Sequence, residues 1–126
     1  MTTAKENYLK TIYDLIIKGQ PVQVSQIAAN LSITRASVSR MIKELEQEGL
    51  IKHKRYGSVL LTIEGLKIAE TIANRNQLIQ DFLVHVLGLD HEIAIKEACK
   101  IEHTISHITT MRLADYLQTL KNGNSY

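Results

Sequence analysis

Apolar residues recur at spacings of three and four from the start of this chain. Leu9, Ile12, Tyr13 and Ile16 form one such stripe, and residues 18–21 (Lys-Gly-Gln-Pro) stop it, which predicts a first helix. A short second helix is expected from about Ser25, as N-cap, through Ile27, Ala28 and Leu31. Thr34 can then cap a third helix that turns Val38, Met41, Ile42 and Leu45 inward and ends at Gly49. Residues 50–56 and 59–62 change to β-prone runs joined across Gly57-Ser58, a two-stranded hairpin. A long helix is expected over about 62–87, capped by Thr62 and closed by Gly88, with Leu66, Ala69, Ala73, Leu83 and Leu87 on one face. Asp90 starts a further helix whose apolar stripe is Ala98, Ile101, Ile105 and Ile108. A last amphipathic segment at about 109–120 carries Met111, Leu113 and Leu117, and residues 121–126 read as a frayed tail.

Three helices followed by a hairpin is the order of a winged helix-turn-helix. Ile27, Ala28, Leu31, Ile33, Val38 and Met41 fall where that motif needs a small residue at the helix crossing and apolar residues beneath it. Ser32 occupies a turn position where glycine is common because it tolerates positive φ. With Val38 at the centre of the buried face of the third helix, Ala36, Arg40, Lys43 and Gln47 face outward, flanked by Ser37 and Ser39. That face suits a major groove. Arg40 can donate two hydrogen bonds to guanine, the serines are short donors, and Ala36 can meet a thymine methyl. Arg35, nearer the buried side by angle but in the first turn, can reach a phosphate. On the hairpin, Lys52, His53, Lys54 and Arg55 precede the tip and offer sequence-independent contacts.

Composition narrows the class. At 126 residues, 44% hydrophobic and 22% charged, the chain can bury a core as one compact domain or two small joined ones. No run of about 18 apolar residues is present and no apolar signal segment opens the chain, so a cytoplasmic protein without membrane contact is expected. The net charge of +2 is uneven: residues 1–75 carry +4 and residues 76–126 carry −2, which points to an anionic partner for the first half.

The second half holds a different chemistry. On a helix, Cys99, Glu102, His103 and Ser106 share one narrow arc, apart from the apolar stripe. A thiolate, a carboxylate and an imidazole together suit a borderline divalent metal such as Fe, Co, Ni or Zn rather than Ca or Mg. Three donors cannot close a shell, so a second segment must contribute. A zinc enzyme using Cys99, His103 and His107 is the reading from another class. However, His91-Glu92 opens a metalloprotease motif that Ile95 breaks, and no phosphate loop or Ser/His/Asp set replaces it, so no enzyme is expected. The other histidines, His53, His85, His91 and His107, read as surface residues.

Several motifs together carry a family resemblance across nearly the whole chain. They are residues 6–15 (Glu-Asn-Tyr-Leu-Lys-Thr-Ile-Tyr-Asp-Leu), Ser37-Val38-Ser39, Leu61-Thr62, and Glu97-Ala98-Cys99 followed by Glu102-His103. In these the chain resembles the diphtheria toxin repressor family of iron- and manganese-dependent repressors, in a short form without the SH3-like domain. The resemblance implies a mainly α fold with a small β-hairpin. A winged helix-turn-helix DNA-binding domain would occupy residues 1–73 and a helical metal-binding and dimerisation domain residues 74–126, sharing the long helix. It implies a homodimer on a pseudo-palindromic double-stranded DNA operator, and a metal held by Asn7, Cys99, Glu102 and His103. Asn7 stands where iron-type members have methionine and manganese-type members aspartate, and Lys10 replaces a carboxylate of the manganese-type site. Asn76, Gln80 and Ile95 stand where an ancillary metal site has two histidines and a glutamate, so that site is expected to be lost. Cys99 favours Fe(II), with Co(II), Ni(II), Zn(II) and Mn(II) as alternatives. The implied function is a metal-activated transcriptional repressor; the alternative is a metal-independent winged-helix regulator with a degenerate site.

Overall fold

The computed structural model describes residues 1–54 and 57–123 and divides the chain into two compact units, Met1–Thr71 and Ile72–Tyr126. In the first unit, α1 (Thr3–Ile17), α2 (Val24–Leu31) and α3 (Arg35–Gln47) precede β1 (Ile51–His53) and β2 (Val59–Leu61). The strands are antiparallel, with Ile51 opposite Leu61 and His53 opposite Val59. Most of the stripe read from the sequence forms the core: Leu9, Ile12, Ile27, Val38, Ile42 and Leu45 are wholly or almost wholly buried, joined by Ile51 and Val59 from the hairpin, whereas Tyr13 is half-buried and Ile16, in the last turn of α1, is 42% exposed. Burial on this scale, at about 25 cal/mol per Å² of apolar surface, holds three helices too short to persist alone.

Local chemistry sets the ends. Thr2 caps α1, and Thr34 caps α3 by accepting from Ser37 N–H at 3.1 Å. α2 begins one residue before Ser25, at Val24, and its N-cap residue Gln23 makes no side-chain capping bond. Ser32 closes α2 in the left-handed region at φ 56°, and the next N–H, of Ile33, reaches back to the Ala28 carbonyl at 3.1 Å. Ile33 is 39% exposed and does not join the core beneath the motif.

α4 (Ile63–Asp81) follows the hairpin, and the division between units falls within it. Thr62 caps it through Gly65 N–H and donates to the Gly49 carbonyl at 2.7 Å. Its buried face is Ala69, Ile72, Asn76 and Ile79; Leu66 is exposed. The expected long helix does not stay α-helical to residue 87. A five-residue π-helical segment (Phe82–Val86) follows, and its wider turn moves the residue four positions after buried Leu83 off that face, leaving Leu87 56% exposed.

In the second unit α5 (His91–Ile101) follows Asp90, which makes no side-chain capping bond, and α6 runs His107–Asn122. Ile79, Leu83, Ala94 and Ala98 form this unit's core, with Phe82, Ile101, Ile105 and Leu113 packed against it. Among the described residues no helix is long and apolar enough to cross a membrane.

Candidate metal centre and nucleic-acid interface

The helix expected to carry the donor stripe ends before it is complete. Ile101 is the last residue of α5, Glu102 is its C-cap, and residues 102–104 turn. Competing local hydrogen bonds explain the stop. Thr104 N–H and Oγ1–H both donate to the Ile101 carbonyl at 2.9 Å, Arg75 Nη1 takes the Glu102 carbonyl at 2.8 Å, and Ser106 caps α6 by accepting from Thr109 N–H at 3.1 Å. Ser106 is therefore a helix cap rather than a member of the stripe. Ile108, placed on the buried stripe by helical continuation, is 70% exposed on α6.

Glu102 and His103 come together in that turn. The Glu102 side chain is wholly buried, and its Oε1 lies 3.2 Å from Nε2 of His103, itself almost buried. Cys99, one turn earlier on α5, is exposed, and its Sγ lies 3.9 Å from Nδ2 of Asn76 on α4. Asn76 Oδ1 in turn accepts from Gln80 Nε2 at 2.6 Å. Asn7 is half-buried on α1 in the first unit. Among the described residues no three His, Cys, Asp or Glu side chains converge as a metal shell would. The donor types nonetheless fit a borderline divalent ion: a carboxylate and an imidazole are already side by side out of solvent, and the thiol is adjacent along the chain. Asn76 and Gln80 are engaged with each other, and Ile95 is 39% exposed.

In the first unit, Arg35, Ala36, Ser37, Ser39, Arg40 and Lys43 are all exposed on α3, with Val38 wholly buried behind them. Lys52 and Lys54 are exposed on the hairpin; Arg55 lies outside the described residues. Among the described residues, none of these lysines and arginines is engaged in an ion pair, whereas Lys5 is tied to Glu48 at 2.9 Å across α1 and α3. Arg35 is the first residue of α3, where no acidic residue balances the positive end of the helix dipole. A cation there is mildly unfavourable to the helix, so folding does not account for it. Arg35 lines an open cleft with Gln23, Ser25, His53 and Gly57. The pattern along the chain did not place Gln23 and Ser25 beside the hairpin. What brings them there is a long-range backbone bond, from Val59 N–H to the Val22 carbonyl at 2.7 Å.

Residues 1–59 match the family model described as iron dependent repressor, N-terminal DNA binding domain. Residues 62–123 match that described as iron dependent repressor, metal binding and dimerisation domain. An uncharacterised HTH-type transcriptional regulator of Methanocaldococcus jannaschii is 35% identical over 124 residues, spanning 97% of this chain and 98% of that protein. The HTH-type transcriptional regulator MntR of Shouchella clausii is 33% identical over 124 residues, spanning 98% of this chain and 86% of that one. The structure of the metal-dependent transcriptional regulator MtsR is similar, with a TM-score of 0.83 at 31% identity over 94% of this chain, which covers 55% of that chain. The structure of the manganese regulator SloR gives 0.79 at 34% identity, with 94% and 55% covered, so this chain spans about half the length of either. Fold, exposed basic face and these similarities agree: the chain belongs to the iron dependent repressor family of transcriptional regulators.

Proposed function

We propose that this chain is a cytoplasmic, homodimeric repressor that a divalent metal activates for binding to a pseudo-palindromic operator. Fe(II) is the favoured ion because a thiol is among the donors. Residues 1–73 would read DNA and residues 74–126 would bind metal and dimerise. Arg40 and the serines beside it would read base edges from α3, with Ala36 against a thymine methyl; Arg35, Lys43, Lys52, Lys54 and Arg55 would hold phosphates. Cys99, Glu102, His103 and Asn7 would hold the ion.

The observation that carries this reading is the buried Glu102–His103 pair, 3.2 Å apart. Folding has already desolvated and fixed both donors, so an ion that joins them meets little further ordering cost. When bound, the ion supplies a charged cross-link between whatever donors it shares. With Asn7 on α1 among those donors, binding would couple the metal to the DNA-reading half, and only such differential affinity lets metal shift the protein toward its DNA-binding state. Glu102→Ala and His103→Ala should each abolish metal-stimulated DNA binding while leaving metal-free affinity unchanged; full stimulation in both would overturn the assignment.

One observation favours a second reading. Among the described residues no three His, Cys, Asp or Glu side chains converge, as a metal-independent regulator with a degenerate site would show. Full DNA affinity in chelator would select that reading.

A further inference from the structure

Three polar residues of α4 have no role in the metal site described above, yet two of them reach its donor residues and the third holds one of those two. Arg75, Asn76 and Gln80 lie within about a turn and a half of helix. Arg75 Nη1 fixes the Glu102 carbonyl at 2.8 Å, Asn76 Nδ2 faces Cys99 Sγ at 3.9 Å, and Gln80 Nε2 donates to Asn76 Oδ1 at 2.6 Å. The Gln80 bond decides which way the Asn76 amide faces. With Oδ1 taken by a donor, the NH2 group is left toward the sulfur, and Asn76 is too buried, at 7% exposure, to trade that arrangement for water. An NH2 group can only donate, which matches a sulfur acting as electron donor to a metal. At 3.9 Å its part is to orient the sulfur rather than to bind it tightly.

We infer that Asn76 and Gln80 are positioning residues: an amide relay from α4 that holds the Cys99 sulfur ready as a metal donor. The inference rests on the proposed metal site and deepens it. Two positions that resemble those of an ancillary cation site serve, in this chain, the sulfur of the primary one. Outer-sphere groups of this kind usually change metal affinity by about 10- to 100-fold when removed.

Co(II) titration of the reduced full-length protein, followed by absorption, tests this. Wild type should bind saturably and show a thiolate-to-Co(II) charge-transfer band. Asn76→Leu and Gln80→Met, each checked for folding by circular dichroism, should lower Co(II) affinity by about tenfold or more and weaken that band. In a Cys99→Ser background, adding Asn76→Leu should cause no further loss, because the relay acts only through the sulfur. Wild-type affinity and band intensity in both single variants would overturn the relay and leave the metal site standing; Gln80→Met alone decides it should Asn76→Leu not fold. Saturable Co(II) binding by wild type without a charge-transfer band would remove Cys99 from the ligand set and the relay with it. No saturable binding at all would overturn both.

Discussion

Ser32 is the one non-glycine residue with positive φ among the described residues, and it closes α2 as Gly19 and Gly49 follow α1 and α3. Its Cβ makes that conformation unfavourable by about 1 kcal/mol relative to glycine. Ser32→Gly should therefore raise the midpoint of thermal or urea unfolding without changing DNA affinity; an unchanged or lower midpoint would show that the serine side chain compensates. Arg35 presents the opposite balance, a residue that does not favour its helix. Arg35→Ala should weaken DNA binding while leaving stability equal or slightly higher, which a paired binding and unfolding measurement checks. Arg40→Ala should cost about 1 to 3 kcal/mol at a cognate site and relax discrimination at one base pair. Lys54→Ala should weaken all sequences alike and reduce the salt slope by about one. Unchanged affinity and sequence preference in Arg40→Ala would mean that another face of α3 enters the groove.

At the scale of elements, the first unit was largely legible because periodicity and caps agreed: Val38, Ile42 and Leu45 are buried where spacing put them, and Thr34 caps where a cap was expected. Legibility failed where long-range or competing bonds decide. Extending the 3.6-residue repeat of α5 through Ser106 overlooked Thr104 and Ser106, whose hydroxyls offer the backbone local partners that end one helix and start the next. Helical spacing puts Glu102 and His103 on one helix face, whereas they meet in the turn after α5. The π-helical segment likewise has no mark in the hydrophobic pattern, which continues through it. Gly65 is a third case. In the first turn of α4 it reads as a poor helix former, yet a methyl there would run into the carbonyl oxygen of Leu50. Gly65→Ala should consequently destabilise by about 1 to 3 kcal/mol instead of stabilising the helix, measured by urea unfolding; a gain would show that the backbone after α3 can yield.

For the whole molecule, the two halves differ in charge. The excess of +4 in residues 1–75 goes with an exposed face whose cations, among the described residues, are not engaged in ion pairs, which suits binding to a polyanion. The second unit exposes large apolar side chains on α5 and α6, Ile93, Ile108, Met111 and Tyr116, more than a solvated helix pair needs. Together with the matching dimerisation-domain model, they lead us to expect a two-fold dimer by light scattering at micromolar concentration; a monomer with and without metal would contradict it. In the proposed function, metal and DNA binding are coupled. The direct measurement is the affinity of the reduced wild-type protein for a DNA site it has itself selected, at one fixed salt concentration, in chelator and then with Fe(II), Co(II) or Mn(II) under anaerobic conditions. Coupling of about 1 to 3 kcal/mol, roughly 5- to 150-fold tighter binding with Fe(II) or Co(II) and less with Mn(II), is the predicted result. Equal affinity in chelator and in every metal would contradict it and leave a winged-helix regulator that reads DNA without sensing metal.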